Sequence, residues 1–340
     1  MERGSSHIRA KAIPAARTYA HRFGTAQLAD QHIEAAMREL REKFEAAEER
    51  PGERKAAGDA IRAAWNVLME VGFPDFDAIR LLRAEEWPHA IEQNQHALVA
   101  LALEIVGWYQ LGLRPYDIDR TARIFDRCVE LCPHNLRALE RFALTANTIQ
   151  PQHIGGLAKF PKKQRETALG YRLQCKTKID GILNDVFGIT EAHLVGQASE
   201  SITTLTAACT EEQRSFVFNI LGHLARINKE VGDFFGNGTQ LSLGIGAACC
   251  QLEILGLPRE IAQTLTLLHG AGLTTPDQSA SANGNLWAQH SATIAEILST
   301  VASLCESKWK IFKNHSAQRR AQEIREFLGK RSSTTTKKEK

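Results

Sequence analysis

The chain predicts an all-α protein: two helical lobes joined by a basic hinge, with amphipathic arms at both termini. Three observations predict it. Apolar residues recur at three- and four-residue steps through nearly every long segment, β-branched residues alternating with polar ones are scarce, and Pro or Gly closes most of the periodic runs. Length agrees, since 340 residues with 43% hydrophobic content can bury one large or two ordinary cores.

The elements follow in order. From 26 to 50, Leu28, Ile33, Met37, Leu40 and Phe44 form one apolar stripe on a charged background that ends at Pro51-Gly52. The joint after it looks loose, which predicts a helix reaching away from the first lobe. Residues 56–71 form a second helix closed by Gly72, and Pro74-Asp75 open a third with Phe76, Ile79, Leu81 and Leu82. The segment 89–112 stacks Leu98, Leu101, Ile105 and Trp108 and reads as a core helix. Helices over 117–132, halted by Pro133, and over 135–147 complete the lobe, before Pro151 and Gly155-Gly156 break the pattern. A helix over 165–183 would place Arg165, Arg172 and Lys176 on one face. The second lobe carries helices near 191–208, 211–233, 240–256, 258–270 and 286–305, with 274–285 as an exposed loop. An amphipathic helix over 307–328, bearing Trp309, Phe312, Ile324 and Phe327, precedes a basic tail. The predicted parts are therefore 1–55 (arm), 56–154 (first lobe), 155–178 (hinge), 179–305 (second lobe) and 306–340 (final helix and tail).

Charge carries the functional signal, because a net of +3 hides alternating blocks. Residues 1–25 have a net charge of +4, 26–154 of −6, 155–178 of +6, 179–305 of −8 and 306–340 of +7. A basic strip between two acidic bodies is how a chain neutralises the phosphates of a nucleic acid. The residues assigned to it are Lys159, Lys162, Lys163, Arg165, Arg172, Lys176 and Lys178, with Tyr171 as an aromatic on which an unpaired base stacks. Solvated linkers and tails also collect Lys and Arg without binding anything.

Other chemistry finds little support. Cys128, Cys132 and His134 lack a second ligand pair at zinc spacing, so no metal is expected, and adjacent Cys249 and Cys250 fall in an apolar run. Gly236-Asn-Gly238 and Gly244-Ile-Gly246 miss the remaining fingerprint glycine and a preceding strand, and read as a turn and tight helix packing. No cofactor or catalytic set emerges. Seven cysteines without framework spacing fit a reducing compartment, and no apolar run approaches the ~18 residues of a membrane span. The acid-poor first 25 residues fit a basic arm or a mitochondrial-type transit peptide.

Two resemblances add to this. Ala122–Leu139 resembles the second helix of a tetratricopeptide repeat, with Phe125, Cys128 and Pro133 at that repeat's offsets, though no second copy follows at its period. Gly72-Phe73, then Ile79, Leu81-Leu82, Trp87 and Leu101-Ala102-Leu103, resemble nucleoproteins of the phenuivirus type, with Pro74 where those carry an acid. That resemblance implies an all-helical chain that coats single-stranded RNA and self-assembles through a terminal arm, in cytoplasm or virion. The expectation is a non-enzymatic nucleic-acid-binding protein of this kind. A helical adaptor for a protein or peptide is the rival, and an enzyme with a dispersed helical-bundle site comes third.

Overall fold

The computed structural model describes residues 30–70, 95–112, 118–149, 162–257 and 282–335, and every regular element among them is a helix. The chain divides into two units, residues 1–145 and 146–340. The predicted helices near 74 and over 258–270, residues 274–281 of the expected loop, and Gly72 to Trp87 of the nucleoprotein-like pattern lie outside the described residues, while 282–285, expected in that loop, are helical.

The first unit is built on α3 (His96–Gly112), whose side chains are buried on every face from Leu98 to Val106, as its near-continuous apolar run requires. Around it pack α1 (Asp30–Glu49), α2 (Arg54–Glu70) and α4 (Ile118–Leu131), and α5 (Leu136–Thr148) follows. Gly107 sets the approach of α4: a Cβ there would stand 2.7 Å from the Phe125 ring.

The expectation of a helix reaching away is corrected by α1. Ile33, Leu40, Phe44 and Ala47 are buried inside the same unit. Phe44 meets Trp108 edge to face at 5.3 Å, and Glu48 pairs with Arg141 and, at 3.3 Å, with Arg137. The reason lies in the Pro51-Gly52 joint, which is a closed turn: the Glu53 amide donates to the Arg50 carbonyl at 2.9 Å and returns the chain onto α1. The stripe thus finds its partner within its own unit.

In the second unit, α6 (Lys162–Phe187) runs unbroken for 26 residues, so the predicted hinge is helical from Lys162 onward. Two short helices follow, α7 (Glu191–Val195) and α8 (Ile202–Leu205), where one had been expected. Gly196 at φ 79° stops the first, and the Ser201 side chain caps the second. Then α9 (Glu211–Phe235) folds back onto α10 (Gly238–Ile254). The turn is sharp. Gly236 ends α9 at φ 64°, a conformation costly for residues with a Cβ, and the Asn237 side chain accepts from the Thr239 and Gln240 amides to start α10.

The most buried helix of this unit is α10, which packs against α7, α9 and α11 (Ala282–Phe312, bent at His290). Its glycines make those approaches close, as their spacing predicted. A Cβ on Gly244 would stand 2.9 Å from Leu304 and 3.1 Å from the Ala225 carbonyl, and one on Gly246 would overlap the Leu194 carbonyl. The final helix, α12 (His315–Thr335), buries Ala317, Ala321, Ile324 and Phe327 against α11. The single helix expected over 307–328 breaks because Lys313 takes φ 53° and Asn314 caps the Ala317 amide.

His223 of α9 is 8% exposed, and burial, with Arg226 nearby, pulls its pKa from 6.5 to about 4. The unfolded chain therefore binds a proton that the folded chain refuses between those values. This stabilising contribution is complete above pH 6.5 and is lost as pH falls toward 4, amounting to roughly 3 kcal/mol. Urea midpoints measured from pH 7 to pH 4.5 should fall, and His223→Gln should flatten that fall.

Candidate nucleic-acid interface

The predicted strip separates along α6 into an exposed tip and a buried root. Lys162, Lys163 and Arg165 occupy the first turn, which holds no acid, and all three are exposed. Lys162 comes within 3.9 Å of Glu166, a pair open to solvent on both sides. Lys159 lies outside the described residues.

Further along, the expectation of one solvent-facing row is corrected. Arg172 is 2% exposed, its guanidinium paired with Glu230 of α9 and donating to the Ile149 carbonyl. Lys176 is buried and paired with Asp180 one turn on. Tyr171 and Lys178 are half-buried beside them. The physical reason is that α6 packs on α9 along this stretch, and a cation on the packed face can stay only with an acid beside it. Asp180 shows the balance: burial raises its carboxyl pKa, and Lys176 draws it back down.

What the tip does meet is an aromatic corner. The Arg165 guanidinium lies 5.1 Å from the centre of the Phe234 ring, and Phe234 stands edge to face with Phe235 at 5.1 Å. Past Gly236 the surface continues onto the end of α11. A Cβ on Gly236 would be 3.6 Å from Ile311, and one on Gly238 would be 3.1 Å from the Phe312 ring. Phe235 (49%), Phe312 (46%) and Ile311 (36%) are three of the four large hydrophobic side chains exposed among the described residues. Lys313 closes the corner, its ammonium 5.3 Å from the Trp309 ring centre, and exposed Lys310 stands beside them on the last turn of α11.

The described acids Asp233, Glu230 and Glu306 near this corner are already engaged. Asp233 holds Lys229 at 2.7 Å, Glu230 holds Arg172, and Glu306 holds Arg325, whose hydrogen bond keeps the Glu306 carboxyl below its usual range. Lys163 and Lys310 are exposed to solvent.

Reading by sequence missed Phe234, Phe235, Ile311 and Lys313, and placed Trp309 and Phe312 on a helical stripe. A signal was present. Two large apolar residues in succession on a helix point about 100° apart, so at a helix end packed along one side at least one of them reaches the edge of the packed face. Phe234-Phe235 and Ile311-Phe312 are such pairs, each on the last turn of its helix.

The first unit holds a different polar cluster. Glu104, 2% exposed within the apolar α3, accepts from the Asn135 amide at 2.8 Å, with Arg137 at 3.9 Å. Burial raises its pKa against the pull of those partners. Arg137 and Arg141 also lie over the Phe44 ring at 5.3 and 5.8 Å, which ties α1, α3 and α5 together. Cys128, Cys132 and Cys209 are raised by burial and Cys305 is pushed to about 11, the reverse of what a thiolate nucleophile requires. No group of metal ligands forms among the described residues, and no described helix is long and apolar enough to cross a membrane. A groove of about 380 Å³ between α1 and α2 is polar, and its Glu39–Lys43 and Asp59–Arg62 pairs are satisfied along their own helices.

Comparison with family models, curated proteins and solved structures returned no match.

Proposed function

We propose that this chain binds single-stranded nucleic acid, RNA in the first instance, through sequence-independent phosphate contacts made by the tip of α6. The observation that carries this reading is the grouping of exposed Lys162, Lys163 and Arg165 in one acid-free turn beside aromatic side chains. Cations in that setting neutralise a phosphate backbone, while neighbouring rings accept bases. Such contacts position a strand without reading its sequence. Coating of RNA by several copies belongs to the same proposal. With the apolar faces of α1 and α12 buried in their own units, that assembly does not call on exchange of those helices.

The triple variant Lys162→Ala, Lys163→Ala, Arg165→Ala tests it, titrated with labelled single-stranded RNA at several salt concentrations. Binding should weaken by roughly tenfold or more. The slope of log affinity against log salt should fall by about 0.7 for each phosphate contact removed. Equal affinities with equal slopes would move the adaptor reading to first place.

A further inference from the structure

We infer that the corner formed by the ends of α9 and α11 is a stacking platform for unpaired bases, with Phe235 and Phe312 as the rings that carry them. The inference rests on the reading just proposed and names the ligand feature that the second unit selects. Four observations lead to it. Phe235 and Phe312 each leave nearly half their surface in water, at 49% and 46%, and the Gly236–Asn237–Gly238 turn that follows Phe235 brings the start of α10 against the Phe312 ring, 3.1 Å from the Cβ position of Gly238. Neighbouring rings already carry cations, Arg165 over Phe234 and Lys313 over Trp309. Exposed Lys162 and Lys163 share the first turn of α6 with Arg165, and exposed Lys310 lies two residues before Phe312 on the last turn of α11. The nearby acids Glu230, Asp233 and Glu306 are each held by a cation of the protein.

Exposed rings bordered by cations, with acids neutralised, match a ligand that presents flat apolar faces and negative charge in alternation. A single strand does this at every nucleotide, whereas a duplex hides its faces in its own stack. A second copy of this chain would bring an apolar face, but nothing in the corner's charge calls for one. An acidic peptide would satisfy the cations and leave the rings without flat partners.

The probes are a 12-nucleotide single-stranded RNA, its duplex, and an abasic oligomer of equal length, used with the full chain. The variants are F235A/F312A and F235Y/F312Y. Both positions are exposed, so a melting curve matching wild type is expected for each. Wild type should bind the single strand at least about tenfold more tightly than the abasic oligomer, because only the single strand presents bases to stack on the rings. F235A/F312A should lose that advantage with its salt slope unchanged, and F235Y/F312Y should keep it.

The platform is overturned if F235A/F312A binds the single strand as wild type does, or if wild type binds the abasic oligomer equally well. It is overturned too if the alanine pair leaves RNA affinity intact and changes the sedimenting species, which assigns the corner to contact between copies. These results leave the phosphate reading standing where the α6 triple variant still lowers the salt slope. Failure of wild type to bind any of the three probes removes both.

Discussion

Gly246→Ala should destabilise the second unit by about 3 kcal/mol or more, the upper end of what added volume costs in a packed core. At the usual scaling for a unit of this size, that lowers its melting temperature by roughly 6–12 °C. The new methyl would overlap a backbone carbonyl, that of Leu194, and not the far end of a flexible side chain. A side chain could turn aside, whereas here α7 and α10 must part. The same substitution at Gly58 is the control. That glycine lies inside α2 with nothing within 4 Å of its Cβ position, so alanine there should stabilise by about 0.5–1 kcal/mol. Differential scanning calorimetry of both variants checks the pair, and two equal shifts would refute the close approach of α7 to α10.

Arg172→Met should cost about 2–3 kcal/mol and leave the salt dependence of RNA binding as it is in wild type. Methionine keeps most of the packing volume but leaves the buried carbonyl of Ile149 without its donor, a loss of ~1–3 kcal/mol. Loss of the pair with Glu230 adds less than a fully buried pair would, because Glu230 is 46% exposed and can hydrate. Arg172→Lys should not rescue, since one ammonium cannot reproduce a planar fork that serves a carbonyl and a carboxylate together. Urea unfolding measures the first effect, and RNA titration at several salt concentrations the second. A reduced salt slope in Arg172→Met would mean that this guanidinium reaches phosphate after all.

Arg172 also illustrates what was legible before any coordinates. The helices were, because α3, α4, α9 and α10 announce themselves by their apolar residues and by Pro or Gly near their ends. Gly236-Asn-Gly238 was read as a turn and Gly244-Ile-Gly246 as close packing, and both are so. Which way a helical cation points was not legible. Arg165 and Arg172 are seven residues apart and lie on nearly the same face of α6, yet one is exposed and the other sealed. The difference is set by where α9 crosses, a long-range contact that no local pattern encodes. For the same reason the stripe of α1 told of a partner without telling where the partner was, and Phe44 met Trp108 in its own unit. The corner stayed hidden because its residues come from segments some 75 positions apart, Phe235 and Phe312.

Three cations in the opening turn of α6 sit against the positive end of that helix's own dipole, where acids are favoured and each misplaced charge costs ~0.3–1 kcal/mol. Helix stability alone disfavours that placement. The tip is therefore a point where helix stability and the proposed phosphate contacts pull in opposite directions. Because Arg172, Lys176 and Asp180 hold the root of the same helix in place, the tip is free to drift toward more or fewer cations without disturbing the scaffold. On the proposed reading, affinity for a polyanion is a quantity that mutation can adjust in small steps, with the fold as a fixed background.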